Sequence, residues 1–259
     1  MRYYFSTYYK IPPIILFLPN SIENIFNIDE NCFEKQFFYR LMSGLHSSIN
    51  IAIISTWINV KNTDNPLLNK VKSKPNLLEF KKKFDPEFTK GEGPGRLLNL
   101  YFLYMVQIRS IQLLLPHLKM KKIYSGDENE DAKVRGNLKK LGIIINEFDA
   151  HYNEKMFFVK ERDRKMLFEY EKKFHNITKI MDCLGCANCK LWGKLQMFGL
   201  GSTLNLIFSN ANNFDALKQT IDYFSRRHIV ALFNSLARTS DNISKIKVFK
   251  HLYDSKLEL

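Results

Sequence analysis

The fold class of this chain rests on residues 91–116, which read GEGPGRLLNLYFLYMVQIRSIQLLLP. The run from Leu97 to Leu115 is apolar, but Arg109 and several asparagine, glutamine and serine residues interrupt it. A helix that spans a membrane needs about 20 mostly apolar residues without a central charge. We therefore predict a buried core helix that follows a glycine-rich turn over Gly91–Gly95 and stops at Pro116.

Apolar residues recur at three- and four-residue spacing on both sides of this helix, which predicts further helices. We expect these helices over residues 33–53, 77–84, 138–148, 163–181, 195–208, 216–237 and 244–252. Residues 62–76 and 119–131 are typical of loops, and alternating patterns typical of strands are scarce. The sequence therefore predicts an all-α fold, a compact single-domain bundle of six to eight helices over residues 32–259, after an irregular, proline-broken extension over residues 1–31.

The composition is typical of a folded chain, because 45% of the residues are apolar and 14% are aromatic. The formal net charge of +13 would attract phosphates, acidic proteins or anionic membranes, or it reflects only a general abundance of lysine. Four cysteines are too few to staple 259 residues, so packing must hold the fold. Two N-glycosylation sequons begin at Asn176 and Asn242 and are compatible with a lumenal location.

Three of the four cysteines lie within seven residues, as Cys183-x-x-Cys186-x-x-Cys189. Thiols at i,i+3 on a helical turn lie close enough for a disulfide. The helical pattern that follows places them near a helix N-terminus, where the helix dipole stabilises thiolate. This pattern favours a redox dithiol, although the spacing does not choose between Cys183–Cys186 and Cys186–Cys189. A zinc site completed by His175 or Cys32 and a purely structural cluster are the alternatives.

Three blocks of sequence resemble the endoplasmic reticulum oxidoreductin family. Residues 176–196, NITKIMDCLGCANCKLWGKLQ, are similar to the active-site segment of that family. Residues 38–49, FYRLMSGLHSSI, and residues 91–104, GEGPGRLLNLYFLY, resemble it in the same order along the chain. On these blocks the chain from Cys32 to the C-terminus is identified as a member of the family.

The resemblance implies a helical protein that holds FAD in a pocket between core helices. Family members act in the lumen of the endoplasmic reticulum, oxidise a thioredoxin-fold protein of the disulfide isomerase type and pass the electrons to molecular oxygen. By the same likeness Cys186 and Cys189 are the catalytic pair beside the flavin, and Cys183 lies outside this pair. Peripheral association with the lumenal membrane face is compatible with the family, and no nucleic acid is implied as a partner.

Four residues match positions that bind FAD in the family. Ser43 and His46 lie in the Ser-Gly-Leu-His stretch, where i,i+3 spacing puts both on one helical face. Arg96 follows the glycine-rich turn at a helix start, which suits a pyrophosphate. Lys83 stands where the family has an arginine, and it keeps the charge but lacks the planar, bidentate guanidinium. The resemblance thus implies a contact at Lys83 that is weaker than in the family.

The N-terminal portion of the family, with its shuttle cysteine pair, has no counterpart in residues 1–31. We expect one of two explanations. The chain is a truncated product of a longer protein, or it is a shortened version of the family protein whose partner reaches Cys186 and Cys189 directly. Two other functions stay open. One is an inactive or regulatory relative that only docks on a disulfide isomerase, and the other is a metal-binding or nucleic-acid-binding module built on the cysteine cluster.

Overall fold

The computed structural model describes residues 33–55, 58–59, 72–73, 75–118, 123–146, 176, 185, 187–212 and 214–255. Within these residues the helices are α1 (Phe33–Ser55), α2 (Leu77–Phe84), α3 (Glu92–Leu114), α4 (Glu128–Asn146), α5 (Ala187–Asn212), α6 (Phe214–Tyr223) and α7 (Arg226–Asp254). A 3₁₀ turn at Leu115–His117 follows α3. Two-residue strands β1 (Ile58–Asn59) and β2 (Lys72–Ser73) pair antiparallel. The predicted all-α fold is confirmed.

Two predicted elements fall outside this description. The extension over residues 1–31 and the helix over residues 163–181, of which only residue 176 is placed, stay predictions, as do the domain boundaries. The predicted loop over residues 62–76 is interrupted by β2, and its register is set by pairing of Lys72 with Asn59.

The turn before α3 is shorter than the glycines suggested. Lys90 and Gly91 have positive φ values of 54° and 89°, but the helix begins at Glu92, so the predicted turn over Gly91–Gly95 is wrong beyond Gly91. The hydroxyl of Thr89 accepts the backbone N–H of Gly93 at 2.7 Å, which satisfies one of the donors that a helix start leaves open. Pro94 is tolerated there because the first turn of a helix does not need its N–H.

α4 begins ten residues before its predicted start at residue 138, so the end of the predicted loop over residues 119–131 is wrong. The Asp127 carboxylate accepts the backbone N–H of Glu130 at 2.9 Å and caps the helix. Glu128, Glu130 and Asp131 then occupy the first turn, where the helix dipole favours negative charge. The acidic run that resembled a solvated loop is therefore a helix start.

The predicted helix over residues 216–237 is two helices, and the predicted helix over residues 244–252 is the end of α7. The two helices are separated at Phe224 and Ser225, and Ser225 is the N-cap residue of α7. Its backbone N–H donates to Nδ1 of His228 at 3.0 Å, and its carbonyl accepts the N–H of His228 at 3.0 Å. The bond from the N-cap N–H to the side chain of the third helical residue is one half of a capping box, with histidine where glutamate is usual.

The chain divides into two compact units, each with its own apolar core. The first unit takes the chain up to Leu103 and from Thr239 onward. Its core includes Phe80, which stacks on Phe249 with ring centroids 4.5 Å apart. Its buried members are Ile51, Ile54, Phe80, Phe84, Leu97, Leu100, Ile246 and Phe249.

The second unit, Tyr104–Arg238, has a larger apolar cluster of its own. Its members include Ile108, Ile111, Leu114, Ile145, Leu206, Leu217, Ile221, Phe224 and Leu232. One segment among the described helices, Glu92–His117, is long and apolar enough to cross a membrane by length and composition, and 61% of its most apolar window is buried inside the protein. That burial agrees with the predicted core helix.

Candidate functional site

Ser43 lies where α1 and α3 pack backbone against backbone. A Cβ atom on the neighbouring Gly44 would collide with the carbonyl oxygen of Asn99 and would lie 2.9 Å from Cβ of Leu103. The absence of a side chain at Gly44 therefore permits the close approach of the two helices. At this contact the half-buried Ser43 hydroxyl accepts a hydrogen bond of 3.0 Å from Nδ2 of Asn99. Ser43 consequently faces α3.

His46 lies one turn further along α1, on the same side as Ser43 by its i,i+3 spacing. Its side chain is exposed, and both ring nitrogens lie 3.5 Å from Nδ2 of Asn50 on the same helix. The imidazole is thus accessible from solvent and available to an added ring system.

Arg96 and Lys83 meet where α2 ends and α3 begins. The guanidinium of Arg96 donates from Nη1 to the carbonyl oxygen of Lys83 at 3.0 Å and from Nη2 to the carboxylate of Glu92 at 2.7 Å. A Cβ on Gly93 would collide with the Phe84 carbonyl, so glycine permits this junction. The Glu92 side chain is 63% exposed, and exposed ion pairs contribute only about 0–1 kcal/mol. An anionic ligand can therefore replace Glu92 at the guanidinium.

The turn between Lys83 and Arg96 is anchored by the buried side chain of Asp85. One carboxylate oxygen accepts the N–H of Glu87 at 2.9 Å, and the other accepts the hydroxyl of Tyr253 in α7 at 2.8 Å. The hydrogen bond to Asp85, helped by burial, raises the pKa of Tyr253 to about 12. Tyr253 is therefore a neutral hydrogen-bond donor. It fixes the turn that joins α2, which contains Lys83, to α3, which contains Arg96.

Two residues that the sequence did not single out, Asn99 and Arg40, reach Ser43, the first directly and the second through Asn99. Asn99 is 5% exposed and lies three residues after Arg96 on α3, while its amide bonds Ser43 on α1. Arg40 donates from Nε to Oδ1 of Asn99 at 3.4 Å, and its guanidinium lies 4.0 Å from the centroid of the Phe102 ring. Asn99 thus lies about one helical turn from Arg96 and in direct contact with Ser43. The i,i+3 rows Arg40–Ser43–His46 and Arg96–Asn99 were the signal available in the sequence.

The predicted side chains share one chemistry, because a hydroxyl, an imidazole, an ammonium and a guanidinium are all able to donate hydrogen bonds. Two of the four, Lys83 and Arg96, are cationic, and Arg96 is the fifth residue of a 23-residue helix. Its guanidinium group favours phosphate oxygens. This donor set fits an anionic cofactor that carries phosphates and a ring system rich in acceptors.

In the sequence, the cysteines predicted to be redox-active lie at and just before the start of α5. The helix begins at Ala187, so the backbone of Cys189 lies in its first turn, as predicted, while the position of Cys186 stays a prediction. Cys183 and Cys186, and the side chain of Cys189, lie outside the described residues. Within the part of the chain that is described, no three His, Cys, Asp or Glu side chains group as a metal site, and the zinc alternative stays a prediction.

Comparisons of the sequence with protein families and with known proteins point to the same family. Residues 18–246 match the model of the Endoplasmic Reticulum Oxidoreductin 1 (ERO1) family. The chain is 38% identical over 234 residues to ERO1-like protein alpha of Xenopus tropicalis, covering 88% of this chain and 48% of the relative. It is 37% identical over 230 residues to the Ero1-like protein of Drosophila melanogaster, covering 85% of this chain and 47% of the relative.

A solved structure of Ero1p, described as the source of disulfide bonds for oxidative protein folding in the cell, is also similar. It superposes with a TM-score of 0.70 at 27% sequence identity, over 86% of this chain and 58% of that chain. The chain thus spans about half the length of the curated relatives it matches. A family match over most of the sequence, relatives at this identity and a shared helical fold agree with one another, and the chain belongs to the Endoplasmic Reticulum Oxidoreductin 1 family.

Proposed function

We propose that this chain is a flavin-dependent thiol oxidase of the endoplasmic reticulum lumen. Its electron donor is a thioredoxin-fold protein of the disulfide isomerase type, and its electron acceptor is molecular oxygen. The observation that carries the proposal is the Cys186-x-x-Cys189 motif of the sequence, which lies inside the region that matches the family and whose second cysteine is in the first turn of α5. The donor set around Asn99 supports the same function.

FAD would be held by the four predicted contacts in the first unit. The guanidinium of Arg96 would bind phosphate oxygens. Ser43 would donate a hydrogen bond, and the exposed imidazole of His46 would lie against a ring system. Lys83 would add a positive charge without the planar fork of arginine, so its contribution to affinity is mainly electrostatic. The hydrogen bond from Arg96 to the carbonyl oxygen of Lys83 places these two residues next to each other.

The thiol chemistry belongs to Cys186 and Cys189. A thiolate of the partner attacks their disulfide, the bond between the two sulfurs breaks, and a mixed disulfide forms. The second thiolate of the partner then attacks the mixed disulfide, which releases oxidised partner and leaves both cysteines reduced. The N-terminus of α5 stabilises the thiolate that leaves. FAD, when bound, would supply a two-electron acceptor for this dithiol, with oxygen as the final acceptor and hydrogen peroxide as the product.

The test is oxygen consumption by the purified full chain with added FAD. Reduced disulfide isomerase and the small dithiol dithiothreitol serve as two donors, because the small dithiol needs no shuttle to reach the pair. Cys186→Ala and Cys189→Ala should each abolish consumption above the background of free FAD. Cys183→Ala is the matched control, since it removes a cysteine from the same cluster but outside the proposed pair, and it should retain activity.

Three outcomes would count against the proposal. No consumption by the wild-type chain with either donor would remove the oxidase assignment. Loss in Cys183→Ala with retention in Cys189→Ala would move the redox pair to Cys183–Cys186. Binding of the disulfide isomerase without any oxygen consumption would favour the docking relative instead.

A further inference from the structure

Arg40 and Asn99 form a directed chain of hydrogen bonds that ends on Ser43. Arg40 donates to Oδ1 of Asn99 at 3.4 Å, and Nδ2 of Asn99 donates to the Ser43 hydroxyl at 3.0 Å. Asn99 is 5% exposed, so each of these bonds replaces contacts that water would otherwise make. The three side chains lie in the first unit, beside the close contact of α1 with α3 at Gly44.

The direction of this chain follows from the chemistry of its first member. A guanidinium has five donors and no acceptor, so only the oxygen of the Asn99 amide can face Arg40. The NH₂ group of Asn99 must then point towards Ser43, and the Ser43 oxygen accepts. Among the described residues, Ser43 makes no second hydrogen bond. Its own proton is therefore left to donate outward.

We infer that Arg40 and Asn99 are positioning residues that hold the Ser43 hydroxyl as a hydrogen-bond donor to an acceptor atom of the bound flavin cofactor. The inference rests on the proposed function for the presence of FAD. The geometry adds the direction of the bond and the two residues that impose it. An acceptor of the cofactor, such as a carbonyl or phosphate oxygen, is thereby recognised in place of a donor.

The substitution Asn99→Asp reverses the direction with almost no change of shape. One oxygen of the new carboxylate faces Arg40, and the other accepts the Ser43 proton, which is then withdrawn from the cofactor. Ser43→Ala removes the hydroxyl itself. We expect each variant to weaken FAD binding to the apo full-length chain by about 2- to 10-fold, the range that one hydrogen bond contributes. The double variant should bind as each single variant does, because both remove the same bond.

The unfolding midpoint of each apo variant is measured alongside binding, since a purely structural role of Asn99 would move this midpoint and would not depend on Ser43. If Asn99→Asp does not fold, two variants of Arg40 provide the test. Arg40→Lys keeps a side chain that only donates hydrogen bonds, and this variant should bind FAD like the wild type. Arg40→Met frees the amide and should weaken binding as Ser43→Ala does. Equal losses in the two Arg40 variants would overturn the inference.

The remaining outcomes separate the inference from the proposed function. Unchanged FAD affinity in Asn99→Asp or in Ser43→Ala overturns the inference and leaves the oxidase proposal standing. A double variant weaker than both single variants shows that the new carboxylate acts by repulsion of FAD, and this also overturns the inference. Failure of the wild-type chain to bind FAD overturns the proposed function, and the inference falls with it.

Discussion

Gly44 offers a direct test of the contact between α1 and α3. In Gly44→Ala the new methyl group would collide with the carbonyl oxygen of Asn99 and would lie 2.9 Å from Cβ of Leu103. The Asn99 atom belongs to the main chain and the Leu103 atom is fixed to it, so no rotamer change relieves the clash. Overpacking of this kind costs up to about 3 kcal/mol, and the better helix propensity of alanine returns about 1 kcal/mol. We expect a net loss of about 2 kcal/mol.

Gly136→Ala is the matched control for this prediction. Gly136 is exposed in the interior of α4, and a Cβ there meets no atom within 4 Å. The same substitution should therefore stabilise the chain by about 0.5–1 kcal/mol through helix propensity alone. Urea unfolding followed by circular dichroism measures both changes in the free energy of unfolding. If Gly44→Ala gained stability as Gly136→Ala does, the backbone contact between α1 and α3 would be refuted.

Tyr253→Phe should lower the free energy of unfolding by about 1 kcal/mol, since it removes the hydrogen bond to Asp85. The pKa of Tyr253 is about 12 in the folded chain and about 10 in the unfolded chain. The free energy of unfolding of the wild type should therefore decrease as the pH rises from about 10 to about 12, and it should decrease less in Tyr253→Phe. Identical pH profiles of the two proteins would contradict this. Asn242 is 2% exposed and its Nδ2 donates to Ser48 at 2.8 Å, so the folded chain should carry no glycan there. After expression through the endoplasmic reticulum, Asn242→Gln should not change the mass of glycan that a glycosidase removes. Asn176→Gln, at an exposed position, is the comparison. A smaller mass of removed glycan in Asn242→Gln would contradict the burial of Asn242.

Helices with a continuous apolar stripe could be predicted from the sequence. α1 and α2 lie where the three- and four-residue spacing placed them, and α3 ends next to Pro116. Helix ends were less predictable, because they depend on single side chains that bond the backbone. The start of α7 depends on Ser225 and His228, and a histidine at the third helical position is not the usual partner in a capping box.

The candidate site was predictable only in part, for a related reason. Ser43 and Arg96 could be named from the resemblance to a family. Nothing in the spacing of the chain joined them, since Ser43 and Asn99 are 56 positions apart. A mid-helix asparagine in an apolar run is ambiguous in sequence, because it becomes informative only when its partner on another helix is known. In the sequence, Asn99 is only one of several polar residues that interrupt an apolar stretch.

Buried amides act in the same way elsewhere in the molecule. In the first unit Asn242 donates to Ser48 at 2.8 Å, and in the second unit Gln107 donates to Ser235 at 2.7 Å. Each pair joins two helices far apart in sequence. Aliphatic contacts tolerate a shift of one helix along another, whereas a buried amide that loses its partner costs about 1–3 kcal/mol. These pairs thus select one register of the helices.

Asn99 differs from the other two buried amides in one respect. The amide oxygens of Gln107 and Asn242 have no hydrogen-bond partner within the described residues, whereas the oxygen of Asn99 accepts from Arg40. Register alone would be satisfied by the single donation that each amide makes to a serine. The added arginine fixes which end of the Asn99 amide faces Ser43, and only a serine whose proton must point in a given direction makes use of that. This extra contact is the observation that supports the role inferred for Arg40 and Asn99 in positioning Ser43.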